Sequence, residues 1–264
     1  MKKKAVSTGK RDQPQSGEFH ILSLSGGGYL GLFTATVLAE LEHRLERPIA
    51  KAFDLVAGTS IGGLLALGLS LEIPAATLVR TLRDKGTRVF SDRPKPRTTV
   101  GKRLDMLRYL ASAKYDSDEL RHTLDELYGG APTLGDIPNH RVVIPAVNLT
   151  RGVAQVFKTP HHEKYDRDWR VPVLDVALAT SAAPTLFPMA EIDEELFTDG
   201  GLYAQSPDLV AIHEAEHFLG VDPRTIRLLS IGTTTTSFSI PPSEGTDFGL
   251  LNWAFNQRLW SAIM

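Results

Sequence analysis

Ser60 stands in the pentapeptide Gly58-Thr59-Ser60-Ile61-Gly62, and Asp199 opens the run Asp199-Gly200-Gly201 far downstream. A serine hydroxyl is a weak nucleophile at neutral pH and needs a neighbour to take its proton. The G-x-S-x-G spacing has a steric reason. The serine sits on a tight strand-to-helix elbow, where side chains at Gly58 and Gly62 would collide with the chain. A third element, Ser25-Gly26-Gly27-Gly28-Tyr29-Leu30-Gly31, offers backbone N–H groups to an anion. Gly26, Gly27 and Gly28 let the chain approach a ligand closely, and the helix they open favours negative charge at its start. Together these are the parts needed to attack an ester and stabilise the oxyanion that forms.

Residue types alone leave the base open. The eight histidines are His20, His43, His122, His140, His161, His162, His213 and His217. None falls on a late loop after a strand, where a Ser-His-Asp hydrolase needs one. Asp199 is better placed, although Asp-Gly-Gly is also a common turn signal. Two rival chemistries are written in the same chain. Gly26 to Gly31 fits the G-x-G-x-x-G of dinucleotide binding, but that reading wants an acidic residue closing a second strand, and Asp54 falls inside one. His213-Glu214-Ala215-Glu216-His217 is a literal H-E-x-x-H, which on a helix binds zinc with Glu214 as base of a metallopeptidase. Pro223 stands where the extended form of that motif has its third histidine. The plainer reading is an amphipathic helix with Leu209, Ile212 and Phe218 inward.

The elements that must position these groups follow from periodicity. Strands are expected at 19–24, 53–57, 141–147, 154–158, 196–198 and 226–232, and helices at 32–45, 61–71, 75–84, 104–110, 116–128, 172–181 and 207–219. Each of the first two glycine elements lies at a strand-to-helix turn, where open α/β sheets build their sites. The alternation predicts an α/β fold with a mainly parallel central sheet. Residues 1–16 are basic and almost devoid of apolar side chains, and are expected to form a disordered tail before a single domain over 17–264. That tail lacks a signal-peptide core and no segment is long and apolar enough to span a bilayer, which points to the cytoplasm. With 29 Lys+Arg against 31 Asp+Glu, global charge gives no argument for a nucleic-acid polymer as partner. The absence of cysteine excludes disulfides, thiolate catalysis and Cys-ligated zinc. Residues 85–103 form a basic, proline-punctuated stretch expected to be a loop, suited to a solvated surface or to a phosphate contact.

Taken in order, Gly26-Gly27-Gly28-Tyr29-Leu30-Gly31, Gly58-Thr59-Ser60-Ile61-Gly62 and Asp199-Gly200-Gly201 resemble the motifs of the patatin-like phospholipases. The run Ser181-Ala182-Ala183-Pro184-Thr185-Leu186-Phe187-Pro188 is similar to a segment of that family too. The resemblance implies a three-layer α/β fold and a Ser60–Asp199 dyad without a catalytic histidine. It implies an oxyanion hole at Gly26, Gly27 and Gly28, supported by Gly31, Gly58, Gly62, Gly200 and Gly201. It further implies hydrolysis of membrane phospholipid esters at the inner face of the membrane, with no metal or cofactor. Leu30 departs from the family, which often has Arg or Lys there. The runs 22–29 and 230–236 resemble one bacterial branch, antiphage effectors switched on by cyclic dinucleotides. For this chain that implies a cyclic dinucleotide activator and a homo-oligomer on activation. The apolar composition of 250–264 makes that stretch the candidate self-association surface.

Overall fold

The computed structural model describes residues 17–89, 113–115 and 117–234, with short pieces at 239–241, 243 and 247. The expected tail at 1–16, the helix at 104–110, most of the basic stretch and the apolar stretch at 250–264 lie outside the described residues. Strands β1 (Phe19–Leu24), β2 (Leu55–Gly58), β3 (Val142–Asn148), β4 (Val153–Lys158), β5 (Ala190–Ile192), β6 (Glu195–Asp199) and β7 (Ile226–Ile231) form one seven-stranded sheet. Helices α1 (Gly31–Leu45), α2 (Ile61–Ser70), α3 (Ala75–Val89), α4 (Ser117–Tyr128) and α5 (Val173–Ser181) precede a one-turn α6 (Gly201–Ala204) and a short α7 (Asp208–His213).

Alternation along the strands builds a layer on each side of the sheet. Leu22, Leu24, Val56, Val142, Ile144 and Ala146 face a large core that takes in buried residues of α1 to α5. Phe19, Ile21, Leu55, Ala57 and Val143 face a smaller core closed by Ala211 and Ala215. This is the three-layer α/β arrangement expected. α2 is buried along its whole length, so it can only be apolar or small on every side, as Ile61-Gly62-Gly63-Leu64-Leu65-Ala66-Leu67-Gly68-Leu69 is.

The centre of the sheet is parallel: β1 pairs with β2 and β7, and β2 with β3. The far side is antiparallel, and its geometry makes the site. β4 covers 143–148 along one edge of β3. β2 and β6 must therefore share the opposite edge, β2 at Val142 and Val143 and β6 at Ala146 to Asn148. They run toward each other along that edge, so the C-terminal ends of β2 and β6 meet head-on. Pro145 occupies the junction. A proline has no N–H to give a ladder, and the break between two strands is where a central strand tolerates one.

Several boundaries differ from expectation. α3 continues to Val89, so Lys85 and Arg88 belong to a helix rather than a loop, with Lys85 paired to Glu126 on α4. β5 was not expected; it joins β6 through Asp193 and Glu194, both at positive φ (50° and 64°), the backbone of a tight hairpin turn. The helix expected at 207–219 is α7 followed by a π-helical turn, Glu214–Phe218. Leu209 does not face inward there; it is 79% exposed, whereas Ala211, Glu214 and Ala215 are buried and Ile212 packs against the smaller core as expected. Ala211, Glu214 and Ala215 keep the i, i+3, i+4 spacing of a helix face, and Leu209 lies off that face.

Candidate active site

β2 ends at Gly58, and the chain reverses through Thr59 and Ser60 into α2. Ser60 holds φ 53° and ψ −128°, a backbone conformation that costs a non-glycine residue about 1–3 kcal/mol and persists only where the surroundings enforce it. Those surroundings are specific. Ser60 N–H donates to Thr180 Oγ1 (3.1 Å), and Thr180 Oγ1 donates to the Pro145 carbonyl at the β2–β6 junction (2.6 Å). Thr59 N–H donates to the Leu24 carbonyl (3.1 Å), tying the elbow to the end of β1. The flanking glycines have no room for a side chain. A Cβ on Gly58 would lie 2.2 Å from the Gly62 carbonyl oxygen, and one on Gly62 would lie 2.2 Å from that of Leu24.

The head-on meeting of β2 and β6 brings Asp199 to this elbow across 139 positions of sequence. Ser60 Oγ donates to Asp199 Oδ2 at 2.7 Å, and Gly201 N–H donates to Asp199 Oδ1 at 2.7 Å. Asp199 N–H in turn donates to the Ala182 carbonyl (3.0 Å), which also accepts from Thr198 Oγ1 (2.7 Å). Asp199 is 3% exposed and Ser60 7%. Burial pushes the Asp199 carboxyl up from 3.8 to about 6, against the lowering effect of the hydrogen bonds from Gly201 and Ser60. A carboxylate tuned to that range accepts a proton far better than a solvated one.

The glycine loop lies beside this pair. Gly27 and Gly28 hold φ 152° and 57°, which L-residues rarely adopt. Among the described residues, no acceptor meets the N–H of either. Gly26 is different. Its N–H donates to the Gln205 carbonyl at 2.9 Å, so it is not available to an anion, and the expected three-donor row shortens to two. Ser60 also caps the N-terminus of α2, whose dipole favours negative charge at that point.

The rival motifs lead elsewhere. Asp54 accepts from His20 N–H at 2.8 Å within the sheet, rather than standing free at a strand end as a ribose-binding carboxylate would. Glu214 does not serve His213 and His217, whose rings stack on each other at 5.0 Å. It is 1% exposed and turned toward β4, where Lys158 Nζ (2.6 Å), His161 Nε2 (2.9 Å) and Tyr165 OH (2.5 Å) all bind it. Among the described residues no group of His, Asp and Glu is arranged to hold a metal ion. Thr180 and Gln205 were not singled out in the sequence. Pro145, inside a strand, was the one visible sign of the junction.

Comparison with known proteins identifies the family. The model of the family described as "Patatin-like phospholipase" matches residues 22–212, which span both glycine elements and Asp199. The chain is 47% identical over 236 residues to a "cGAMP-activated phospholipase" of Pseudomonas aeruginosa, covering 89% of this chain and 68% of that one. It is 38% identical over 264 residues to a protein of the same description from Vibrio cholerae, covering 94% and 74%. Among solved structures, VipD from Legionella pneumophila matches with TM-score 0.49 and 14% identity, over 86% of this chain and 52% of that one. With a strained serine on its elbow, a buried aspartate at its side and a family match over most of its length, this chain belongs to the patatin-like phospholipases, a family of ester hydrolases.

Proposed function

We propose that the chain hydrolyses acyl esters of membrane phospholipids through a Ser60–Asp199 dyad. The observation that carries this reading is the 2.7 Å hydrogen bond from Ser60 Oγ to a buried carboxyl with raised proton affinity. Asp199 takes the hydroxyl proton as Ser60 Oγ attacks the ester carbonyl carbon. The carbonyl oxygen becomes an oxyanion, met by the N–H groups of Gly27 and Gly28 and by the start of α2. Collapse of the intermediate expels the alcohol, which receives the proton from Asp199. A water molecule then gives a proton to Asp199 and attacks the acyl-serine, releasing the fatty acid and restoring Ser60. The exposed apolar side chains that follow the glycine loop and the Asp-Gly-Gly turn, Leu30, Phe33, Leu202 and Tyr203, suit a lipid surface rather than a polar substrate.

The descriptions of the Pseudomonas and Vibrio relatives support a second part of the proposal: a cyclic dinucleotide such as cGAMP switches the enzyme on. A ligand achieves this only by binding the active form more tightly than the resting one. Self-association on activation is a further part of the proposal, to which those descriptions do not speak. The test is fatty-acid release from phospholipid vesicles by purified protein with and without cGAMP, with Ser60→Ala as control and the mass in solution measured in parallel. Release that requires both Ser60 and the nucleotide supports the whole reading. Full release without nucleotide and no change of mass leaves a constitutive acyl hydrolase. Release undiminished in Ser60→Ala sinks the dyad.

A further inference from the structure

The chain after Asp199 turns back across the site and touches each of its parts. The Ala204 carbonyl accepts from Thr59 Oγ1 of the elbow (2.8 Å), and the Gln205 carbonyl accepts from Gly26 N–H of the glycine loop (2.9 Å). The Gln205 side-chain amide then fills the space between the glycine loop and the Asp-Gly-Gly turn. A Cβ on Gly26 would lie 2.8 Å from Gln205 Oε1 and 3.0 Å from Nε2. One on Gly201 would lie 2.5 Å from Gln205 Oε1 and 3.0 Å from Asp199 Oδ1. The amide oxygen and a carboxyl oxygen of Asp199 thus both border the position that a Gly201 side chain would take. Gln205 Oε1 is buried and has no hydrogen-bond partner among the described residues.

An unpaired buried carbonyl costs about 1–3 kcal/mol. A leucine has nearly the same volume and would fill this space without that cost. Packing therefore explains the size of the side chain at 205 and not its polarity. The polarity has a use beside Asp199. An amide oxygen is the negative end of a dipole. Turned toward a carboxyl, it disfavours the charged form and raises the affinity for a proton.

We propose that Gln205 is a positioning residue for the dyad: its side chain spaces the glycine loop from the Asp199 turn, and its unpaired oxygen keeps the Asp199 carboxyl a strong proton acceptor. This rests on the proposed Ser60–Asp199 chemistry. It acts through Gly26, Gly201 and Asp199 and does not itself touch the reacting atoms.

Two variants separate spacing from polarity. Gln205→Leu keeps the volume and removes the dipole. Its kcat is expected to fall roughly 2- to 3-fold with KM unchanged, while the acid limb of its pH–rate profile moves down by about half a pH unit. Its melting temperature is expected to rise, because the unpaired oxygen is gone. Gln205→Ala removes both features and is expected to lose on the order of 10²-fold in kcat. Gly26→Ala should add little to that loss, since both changes disturb one contact. Wild-type kcat and an unmoved acid limb in Gln205→Leu would overturn the proposal. So would a limb that moves upward, which would mean that the amide nitrogen faces the carboxyl. Should the wild-type protein release no fatty acid with or without cGAMP, the proposed function fails by itself. The Gln205 proposal is then decided by NMR titration of the Asp199 carboxyl, which must titrate lower in Gln205→Leu than in wild type.

Discussion

Among the described residues, the two most deeply buried carboxyl groups, Asp199 and Glu214, are held in opposite ways. Asp199 is 3% exposed and meets two neutral donors, a serine hydroxyl and a backbone N–H. Glu214 is 1% exposed and meets a lysine, a histidine and a tyrosine. Burial raises the proton affinity of both. For Asp199 it prevails and leaves the carboxyl at about 6. For Glu214 the donors, with the positive charge of Lys158 among them, outweigh it and hold the carboxyl at about 2. The same cluster works on its own members: burial keeps His161 below its usual range, while Tyr165 is raised by burial and by Glu214. A buried acid is thus a proton acceptor or a structural pin according to whether a cation accompanies it.

The largest effect that separates the two is on turnover. Asp199→Asn preserves the shape of the site and removes the base, and is expected to lower kcat by on the order of 10⁴-fold. Glu214→Gln is expected to leave kcat within a few-fold of wild type in the same vesicle assay. A loss from Glu214→Gln as large as that from Asp199→Asn would erase the distinction and revive a catalytic role for the H-E-x-x-H helix.

Stability reverses the order. Glu214→Gln leaves the partly buried Lys158 without its counter-ion and is expected to cost about 2–3 kcal/mol, or roughly 5–10 °C in melting temperature. The sign with pH follows from the lowered value. Glu214 drops from 4.5 to about 2 on folding, so its contribution is present above pH 4.5 and is lost as pH falls through about 2. Denaturant titrations of wild type and Glu214→Gln should therefore converge in acid. If the gap between them persists at pH 2, the pinning is not electrostatic.

Asp199 has the contrary sign. Its folded value lies above 3.8, so the buried charge destabilises the fold as pH rises from 3.8 through about 6. Asp199→Asn should be more stable than wild type by about 3 kcal/mol above pH 6 and equal to it below pH 3.8. Over the same interval wild-type kcat/KM should climb with pH to a plateau, because only ionised Asp199 accepts the serine proton. A plateau already reached at pH 4 would place the working base elsewhere.

Much of this contrast was legible in the chain. The glycine elements, the strands that precede them and the helices that follow are local patterns, read from spacing and from the lack of side chains. The pairing of Ser60 with Asp199 followed only from family resemblance, because nothing local says that β6 runs head-on into β2. Pro145 carried that information as a proline inside an apolar strand. The H-E-x-x-H run is a local pattern with no site behind it among the described residues, as the plainer helix reading had it. Its spacing satisfied a helical motif, but Glu214 is held by Lys158, His161 and Tyr165, which no periodicity connects. The commitment of the Gly26 amide to Gln205 is likewise a long-range contact without a local signature.

The smallest effect tests how the elbow is held. Thr180 is the link between the two strand ends: its Oγ1 accepts from Ser60 N–H and donates to the Pro145 carbonyl. Thr180→Val keeps the shape, including the methyl that packs against Gly63, and removes the hydroxyl. Ser60 N–H and the Pro145 carbonyl then lose a partner in a buried place, and the positive-φ serine loses one of its restraints. The expected result is a fall of roughly 10-fold in kcat, with KM unchanged because the substrate does not contact Thr180. Thr180→Ser restores the hydroxyl and sacrifices the methyl, and should recover most of that loss. If Thr180→Ser is instead as slow as Thr180→Val, the methyl packing rather than the hydrogen-bond chain fixes the elbow. Asp199 would then be poised by its own surroundings, independently of the strand junction beneath it.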